Sequence, residues 1–338
     1  MSVLSQDDLL TIAETLSGGA VDASTPAHGG GNNRIYKVEG ANGPAALKFY
    51  LPQDEDPRDR LGQEYAALDF LSQNGVTQVP TPIGQMPDRH CAMYQWVAGE
   101  RVTSIGNEEV DVLADFLAQL QDMRGVEGVL ELHPASACCF SLQAVVDQLM
   151  ARLARLERLQ GAAGSSAELQ EFIGDAYEPT VNAAVAKLQV ESADLGLDIT
   201  TEIDQSQRAL SPSDFGYHNA LRDGARNIVF IDFEYFGWDD PVKMIADVMW
   251  HAGMNLNDAQ GERFYQRIAP VFAQNDDTFT QRFNLLYPLY GLIWCAIVLN
   301  EFLPERWARR EAAGHTDAEL SRKRQLDKAS TLYQRLIS

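Results

Sequence analysis

The sequence predicts an α+β chain: a small mixed unit over residues 1–97 and a mostly helical unit over residues 98–338. Three observations carry this. Asn42 and Gly43 sit between two strand-like runs, the commonest two-residue hairpin signal. Helical apolar spacing brackets that hairpin in residues 5–17 and 61–72. From residue 110 onward the helical pattern recurs in nearly every long segment.

In chain order, residues 5–17 place Leu9, Ile12, Ala13 and Leu16 on one helical face, with Ser5 and Asp8 as a capping start and Gly18 and Gly19 as a stop. A glycine-rich turn of Gly29, Gly30, Gly31, Asn32 and Asn33 follows. Residues 35–38 and 45–50 form the two arms of the hairpin, and Lys48 lies in the second. A polar loop leads to the helix 61–72, which carries Glu64. Pro80, Pro82 and Pro87 mark loops around a short strand, and residues 92–97 read as another strand that Gly99 ends. Beyond it, Val112, Leu113, Phe116, Leu117 and Leu120 stripe a helix at 110–121. Further helices are expected at 141–159, 167–188, 258–273, 277–303 (bent or broken at Pro288) and 317–337. Arg152, Arg155 and Arg158 recur at every third position and read most simply as a solvated helix face. No repeat period is visible.

The chain has 338 residues, 45% of them hydrophobic, enough to bury a substantial core. Its net charge of -21, from 48 acids against 27 bases, excludes a nucleic-acid partner, which needs a concentrated basic face. An acidic balance serves solubility first and is compatible with a cationic partner. The longest apolar run, residues 285–299, falls short of the ~20 residues that span a bilayer and reads as a buried helix. The first ten residues carry acids where a secretory leader has bases. Cys91, Cys138, Cys139 and Cys295 are too scattered for a disulfide framework, and Cys138 and Cys139 with His133 lack a metal-site spacing. No export signal or membrane partner is expected, and a reducing cytoplasm is.

Chemistry concentrates in residues 211–241, SPSDFGYHNALRDGARNIVFIDFEYFGWDDP. Asp214 and Asn219 stand in a D-x-x-x-x-N spacing, a tight hairpin through residues 222–226 follows, and the apolar run 228–231 delivers Asp232. Phosphoryl transfer needs one carboxylate to take the acceptor hydroxyl's proton, an Asn to hold a metal, and an Asp on the next strand to bind Mg²⁺ against the phosphates. Lys48 on a strand would hold the α and β phosphates of ATP while Glu64 on a helix pairs with it. Gly30, Gly31 and Asn32 would turn over those phosphates with backbone N–H groups, although the stretch has neither G-x-G-x-x-G nor G-x-x-x-x-G-K-[ST]. Residues 93–98 fit a hinge, with Tyr94 and Trp96 as walls for the base. Singly, each feature has a plain structural explanation; their order along the chain points to a kinase.

The segments NNRIYKV, ALKFY, QEYAALDFL, SDFGYHNAL and IDFEYFGWDDP together resemble the aminoglycoside phosphotransferase and choline kinase superfamily over residues 29–250. The resemblance implies a two-lobed protein-kinase-like fold: a small nucleotide-binding N-lobe with an antiparallel sheet, and a helical C-lobe with the catalytic loop and acceptor site. It makes Asp214 the catalytic base, Asn219 and Asp232 the Mg²⁺ ligands, and Lys48 and Glu64 the phosphate-binding pair. It implies ATP- and Mg²⁺-dependent transfer to a hydroxyl of a choline- or ethanolamine-like amino alcohol, a sugar or an aminoglycoside. Departures are Pro212 where the family has His, Ser213 after it, His218 just before Asn219, and Asp239, Asp240 and Pro241 followed by Met244 and Asp247. With the unusual glycine-rich turn, the missing His motivates the alternative of a nucleotide-binding pseudokinase without turnover. Glu234, Trp238, Asp239 and Trp250 supply acids and aromatics that would suit an amine through cation–π attraction; core packing is the plainer role for each Trp. The acceptor, the choice between ATP and GTP, and the oligomeric state are not fixed by these patterns.

Overall fold

The computed structural model describes residues 5–27, 33–53, 55–159, 166–304, 306–307 and 317–338. The chain forms two compact units, each built from separate stretches: Met1–Glu108, Gln119–Ser136 and Leu210–Trp238 in the first, and Glu109–Ala118, Ala137–Ala209 and Asp239–Ser338 in the second. The boundary expected at residue 97 therefore falls inside unit 1. Residues 210–238, expected with the helical part, fold with the sheet because their strands pair with residues just past 97.

Unit 1 begins with α1 (Gln6–Ser17). Ser5 Oγ accepts the Asp8 N–H at 3.1 Å and the Asp8 carboxylate accepts the Ser5 N–H at 3.3 Å, the reciprocal cap that the sequence signalled. Gly18, at φ 66°, closes the helix in the left-handed region. Strands β1 (Val21–Ala27), β2 (Arg34–Gly40), β3 (Ala45–Phe49), β4 (Pro82–Met86) and β5 (Cys91–Gln95) make an antiparallel sheet in the order β1-β2-β3-β5-β4. Leu9, Ile12 and Ala13 of α1 pack on Val38, Ala45, Leu47, Phe49, Cys91 and Met93, so this core is the inner face of the helix against one face of the sheet.

Helix α2 (Arg60–Gln73) starts under an Asp59 cap and buries Arg60, Leu61, Glu64, Ala67, Leu68 and Leu71, a stripe at helical spacing that includes two charged residues. After β6 (Gly99–Arg101), α3 (Asn107–Asp122) and the short β7 (Ala209–Ser211), strands β8 (Ala220–Asp223) and β9 (Ile228–Phe230) form a second sheet in the order β6-β8-β9. A side chain at Gly99 would bring a Cβ to 2.6 Å from the Arg222 carbonyl, so only glycine permits that pairing. The expected turn between β8 and β9 is held by Asp223, whose carboxylate accepts the N–H groups of Ala225 and Asn227. The Phe230 N–H donates to Gln78 O at 2.8 Å.

Unit 2 is helical: α4 (Leu142–Glu157), α5 (Ala167–Glu171) running through a π turn into α6 (Glu178–Asp194), α7 (Pro241–Trp250), α8 (Asp258–Ala273), α9 (Phe279–Val298) and α10 (Ala318–Ile337). Helix α9 is its centre, touching α4, α6, α7, α8 and α10. It runs on through Pro288, where a bend or break was expected, without a break. Residues 279–302 are long and apolar enough to cross a bilayer, yet most of their apolar stretch is buried inside the unit. Helix α7, which no sequence pattern announced, is capped by Asp240 with Pro241 at its first position.

Candidate active site

Lys48 sits on β3 between Ile35 of β2 and Ala92 of β5. Its Nζ lies 2.6 Å from Glu64 Oε2, 2.5 Å from Asp232 Oδ1 and 3.9 Å from Glu234 Oε2. Strand, helix and the segment after β9 thus converge on one ammonium; the Lys48–Glu64 pairing is the one expected from the sequence. Glu64 is fully engaged: Oε2 also accepts the Tyr50 hydroxyl at 2.8 Å, and Oε1 accepts the Phe233 N–H at 3.2 Å. Burial pulls the Lys48 ammonium down, but Asp232, Glu64 and Glu234 outweigh it and hold the lysine well above its usual range. Burial pushes Glu64 up to about 7 against the pull of Lys48. The result is a fixed cation at the wall of a cavity, which is what phosphate oxygens require.

Behind Lys48 lies a network that sequence reasoning missed. Arg60 Nη1 donates to Glu234 Oε1, Arg60 also pairs with Asp56, and Asn33 Nδ2 donates to Glu234 Oε2 at 2.6 Å. Arg58 pairs with the same Asp56, and both guanidinium groups lie over the Tyr235 ring at 5.1 and 5.2 Å. Arg60 and Glu64 are one helical turn apart on α2, so this face clamps Glu234 and Lys48 together, and with them Asp232. That spacing was the available signal.

On the opposite strand pair, Asn219 Nδ2 donates to Asp214 O at 3.0 Å, and the Ile231 N–H donates to Asn219 O at 2.9 Å. These bonds set Asp214, Asn219 and Asp232 in one rigid turn. Ser213 and Asp232 hold φ values of 66° and 69°. His218, absent from every expected role, places Nε2 3.0 Å from Asp214 Oδ1. It thus contacts the Asp214 carboxylate from four residues downstream, whereas Pro212 stands where the family has His two residues upstream. Among the described residues, nothing donates to Asn219 Oδ1 or Asp232 Oδ2. Two open oxygens at this point fit a hard divalent cation such as Mg²⁺.

A cavity of about 410 Å³ in unit 1 is lined by Lys48, Glu64, Tyr94, Trp96, Asn219 and Asp232, with Ile35, Ala46, Leu68 and Leu221 as apolar wall. The Tyr94 hydroxyl turns away to Tyr50 Oη at 2.7 Å, so Tyr94 offers the cavity its ring. Lys37 lies 5.6 Å from the Trp96 ring. Gly30, Gly31 and Asn32 lie outside the described residues.

The four residues suggested for the acceptor are placed differently. Glu234 is buried beneath Lys48, clamped by Arg60. Trp238 is buried and donates its indole N–H to Val129 O at 3.2 Å. In unit 2, Asp239 is fully buried; Lys243 Nζ lies 2.9 Å from its Oδ2 and 2.8 Å from Asp247 Oδ2. Burial pushes Asp239 up to about 6 against Lys243, while Asp239 and Asp247 raise Lys243 despite burial. Trp250 donates to Tyr287 O at 3.0 Å, and its ring edge comes so close to Gly291 that a Cβ there would stand 3.0 Å away. All four are packed into the interior with their polar atoms engaged.

A strand-borne Lys paired with a helix-borne Glu, in a cavity that Asn219 and Asp232 also line, defines a phosphotransferase of the kinase-like type. Residues 24–275 match the phosphotransferase enzyme family (APH), and the chain belongs to that family: it is a small-molecule kinase. Among solved structures, a spectinomycin phosphotransferase in complex with ADP and spectinomycin is 13% identical, with 100% of this chain and 99% of that one covered at a TM-score of 0.62. The choline kinase LicA from Streptococcus pneumoniae is 18% identical, covering 96% and 98%, at 0.58. APH(2″)-IIa, solved as a ternary complex with streptomycin and ATP, is 15% identical, covering 95% and 99%, at 0.56. No curated protein matches the chain significantly by sequence. The kinase-like α+β fold expected from the resemblance is therefore the fold of the chain.

Proposed function

We propose that the enzyme transfers the γ-phosphoryl group of ATP, with Mg²⁺, to a hydroxyl of a small molecule, and that it works in the cytoplasm. The carrying observation is the convergence of Glu64 and Asp232 on Lys48 at the wall of a cavity that Asn219 also lines. Lys48 holds phosphate oxygens at a charge that Glu64 fixes in place, and Tyr94 and Trp96 offer rings to the adenine. Asn219 Oδ1 and the open oxygen of Asp232 would hold Mg²⁺, which when bound supplies charge neutralisation on the phosphates. The Asp214 carboxylate accepts the proton of the acceptor hydroxyl, and His218 keeps that carboxylate in one orientation. The chemistry of the site admits amino alcohols, sugars and aminoglycosides as acceptors.

A screen of these three classes by ADP release tests the reading. Wild type should turn over with at least one acceptor, and Asp214→Ala should lower kcat by about 10²–10⁴-fold while nucleotide binding, followed by calorimetry, persists. Equal turnover by the two proteins would sink the assignment of Asp214.

A further inference from the structure

We propose that Tyr50 is a positioning residue for phosphate binding: its hydroxyl pins the Glu64 oxygen that holds Lys48, so that Asp232 does not capture the ammonium and Lys48 stays available to phosphate. This rests on the kinase reading above and gives a role to a residue that the expected chemistry leaves without one.

Alternation along β3 brings Tyr50 to the site. Leu47 and Phe49 turn toward α1 and join the core there. Lys48 and Tyr50, two residues apart in extended chain, therefore share the other face. The Tyr50 N–H donates to His90 O at 2.8 Å and so carries the pairing with β5 one step past the strand. On β5, Ala92 stands opposite Lys48 and Tyr94 opposite Ala46, which puts both on that same face. The small Ala92 lies between the two tyrosines and leaves them room to meet, hydroxyl to hydroxyl, at 2.7 Å. Both are buried.

The proton count gives this chain of hydroxyls a direction. Glu64 Oε2 accepts from Lys48 Nζ at 2.6 Å and from Tyr50 Oη at 2.8 Å. An ionised carboxylate has no proton to give, so the single Tyr50 proton is spent on Glu64 and Tyr94 must donate to Tyr50. The chain thus runs from Tyr94 through Tyr50 and ends on the oxygen that grips Lys48. The Tyr50 ring also lies 5.0 Å from Lys48 Nζ, close enough to attract the ammonium. One side chain therefore holds both members of the pair.

Lys48 needs that hold because it has a second suitor. Asp232 Oδ1 stands 2.5 Å from Nζ, as near as Glu64 does. Which carboxylate keeps the ammonium depends on how firmly each is fixed. Glu64 is fixed by Tyr50 on Oε2 and by the Phe233 N–H on Oε1 at 3.2 Å. With the Tyr50 donor gone, Glu64 loosens and Lys48 passes to Asp232, where its charge is spent on a carboxylate instead of phosphate. Tyr50 does not line the cavity, so it acts through Glu64 and Lys48 and not on the ligand itself.

Calorimetric titration of the full chain with ATP, inorganic tripolyphosphate and adenosine, in excess Mg²⁺, separates the phosphate end of the ligand from the base. It is run at pH 8, above the value of about 7 to which burial pushes Glu64. Tyr50→Phe keeps the ring and removes the hydroxyl. It should weaken ATP and tripolyphosphate about tenfold each and leave adenosine within twofold of wild type. Its Tm should fall, because the buried Tyr94 hydroxyl loses its acceptor. The double variant Tyr50→Phe with Tyr94→Phe removes that stranded hydroxyl, so Tm should recover while tripolyphosphate binding stays weak. Should Tyr50→Phe not fold, the double variant against wild type carries the same comparison. Wild-type affinity for both phosphates in Tyr50→Phe overturns the positioning role. So does a loss shared equally by adenosine, or a tripolyphosphate affinity that returns with Tm, since either makes Tyr50 a packing residue only. A wild type that binds neither ATP nor tripolyphosphate overturns the kinase reading, and the role of Tyr50 falls with it.

Discussion

Each unit buries a cluster of ionised side chains, and the clusters differ in what they leave open. In unit 1, Lys48 gathers Glu64, Asp232 and Glu234, and the Asp232 side chain stays 36% exposed at the cavity. In unit 2, Lys243 joins Asp239 and Asp247, whose side chains are 0% and 13% exposed, and Trp294 closes the last oxygen. The first cluster leaves a carboxylate oxygen of Asp232 open to the cavity, where the proposed function would place phosphate and metal. The second is finished and serves to fix α7 against α9. Similar chemistry therefore leaves an oxygen open to a cavity in one place and closes every oxygen in the other, and the count of uncommitted oxygens separates a candidate site from a structural cluster.

The sharpest way to break this comparison is to remove the central lysine of the closed cluster. Lys243→Met strands two buried carboxylates and should cost about 3–5 kcal/mol in urea unfolding. A loss below 1 kcal/mol would show that the cluster is not closed.

How far the two clusters were legible in the sequence follows from their wiring. Lys48, Glu64, Asp214, Asn219 and Asp232 were singled out because the expected phosphoryl transfer calls for those residue types in that order, and the structure brings Lys48, Glu64 and Asp232 into contact. The Ser5 cap, the Asn42 and Gly43 turn and the helix at 258–273 were visible because each is a local pattern. Strand β1 was not: Val21–Ala27 lacks apolar alternation and contains Pro26, which is tolerated because β1 lies at the sheet edge. The Arg60 clamp on Glu234 and the His218 contact with Asp214 were hidden because tertiary geometry chooses such partners. Trp250 and Asp239 looked like binding residues only because burial cannot be read from residue type.

The open cluster should respond in activity first. Asp232→Asn should lower kcat by about 10²–10³-fold, measured by ADP release at saturating ATP, while its unfolding free energy moves far less than that of Lys243→Met. A smaller effect is expected beside it. His218→Ala frees the Asp214 carboxylate and should reduce kcat about tenfold, with KM for ATP unchanged and partial recovery in His218→Gln. A change in KM alone would assign His218 to nucleotide binding.

The smallest effect is a pH dependence in the closed cluster. Asp239 ionises at about 6 when folded against an ordinary 3.8, so the folded chain holds an extra proton between those values. The stability it contributes is fully present below pH 3.8 and lost as pH rises through about 6. Urea midpoints of wild type should accordingly decline across that window more than those of Asp239→Asn. Parallel profiles would place the proton elsewhere.

The left-handed backbone of Asp232 narrows the chemical choices at that position. Glycine would relax the chain there, asparagine would tolerate it, and a β-branched or long acidic residue would resist it. Aspartate alone combines a short side chain, a negative charge and tolerance of φ 69°. Asp232→Gly should therefore yield an inactive protein that resists unfolding at least as well as wild type, and directed evolution for thermal tolerance alone would erode this site before any other in unit 1.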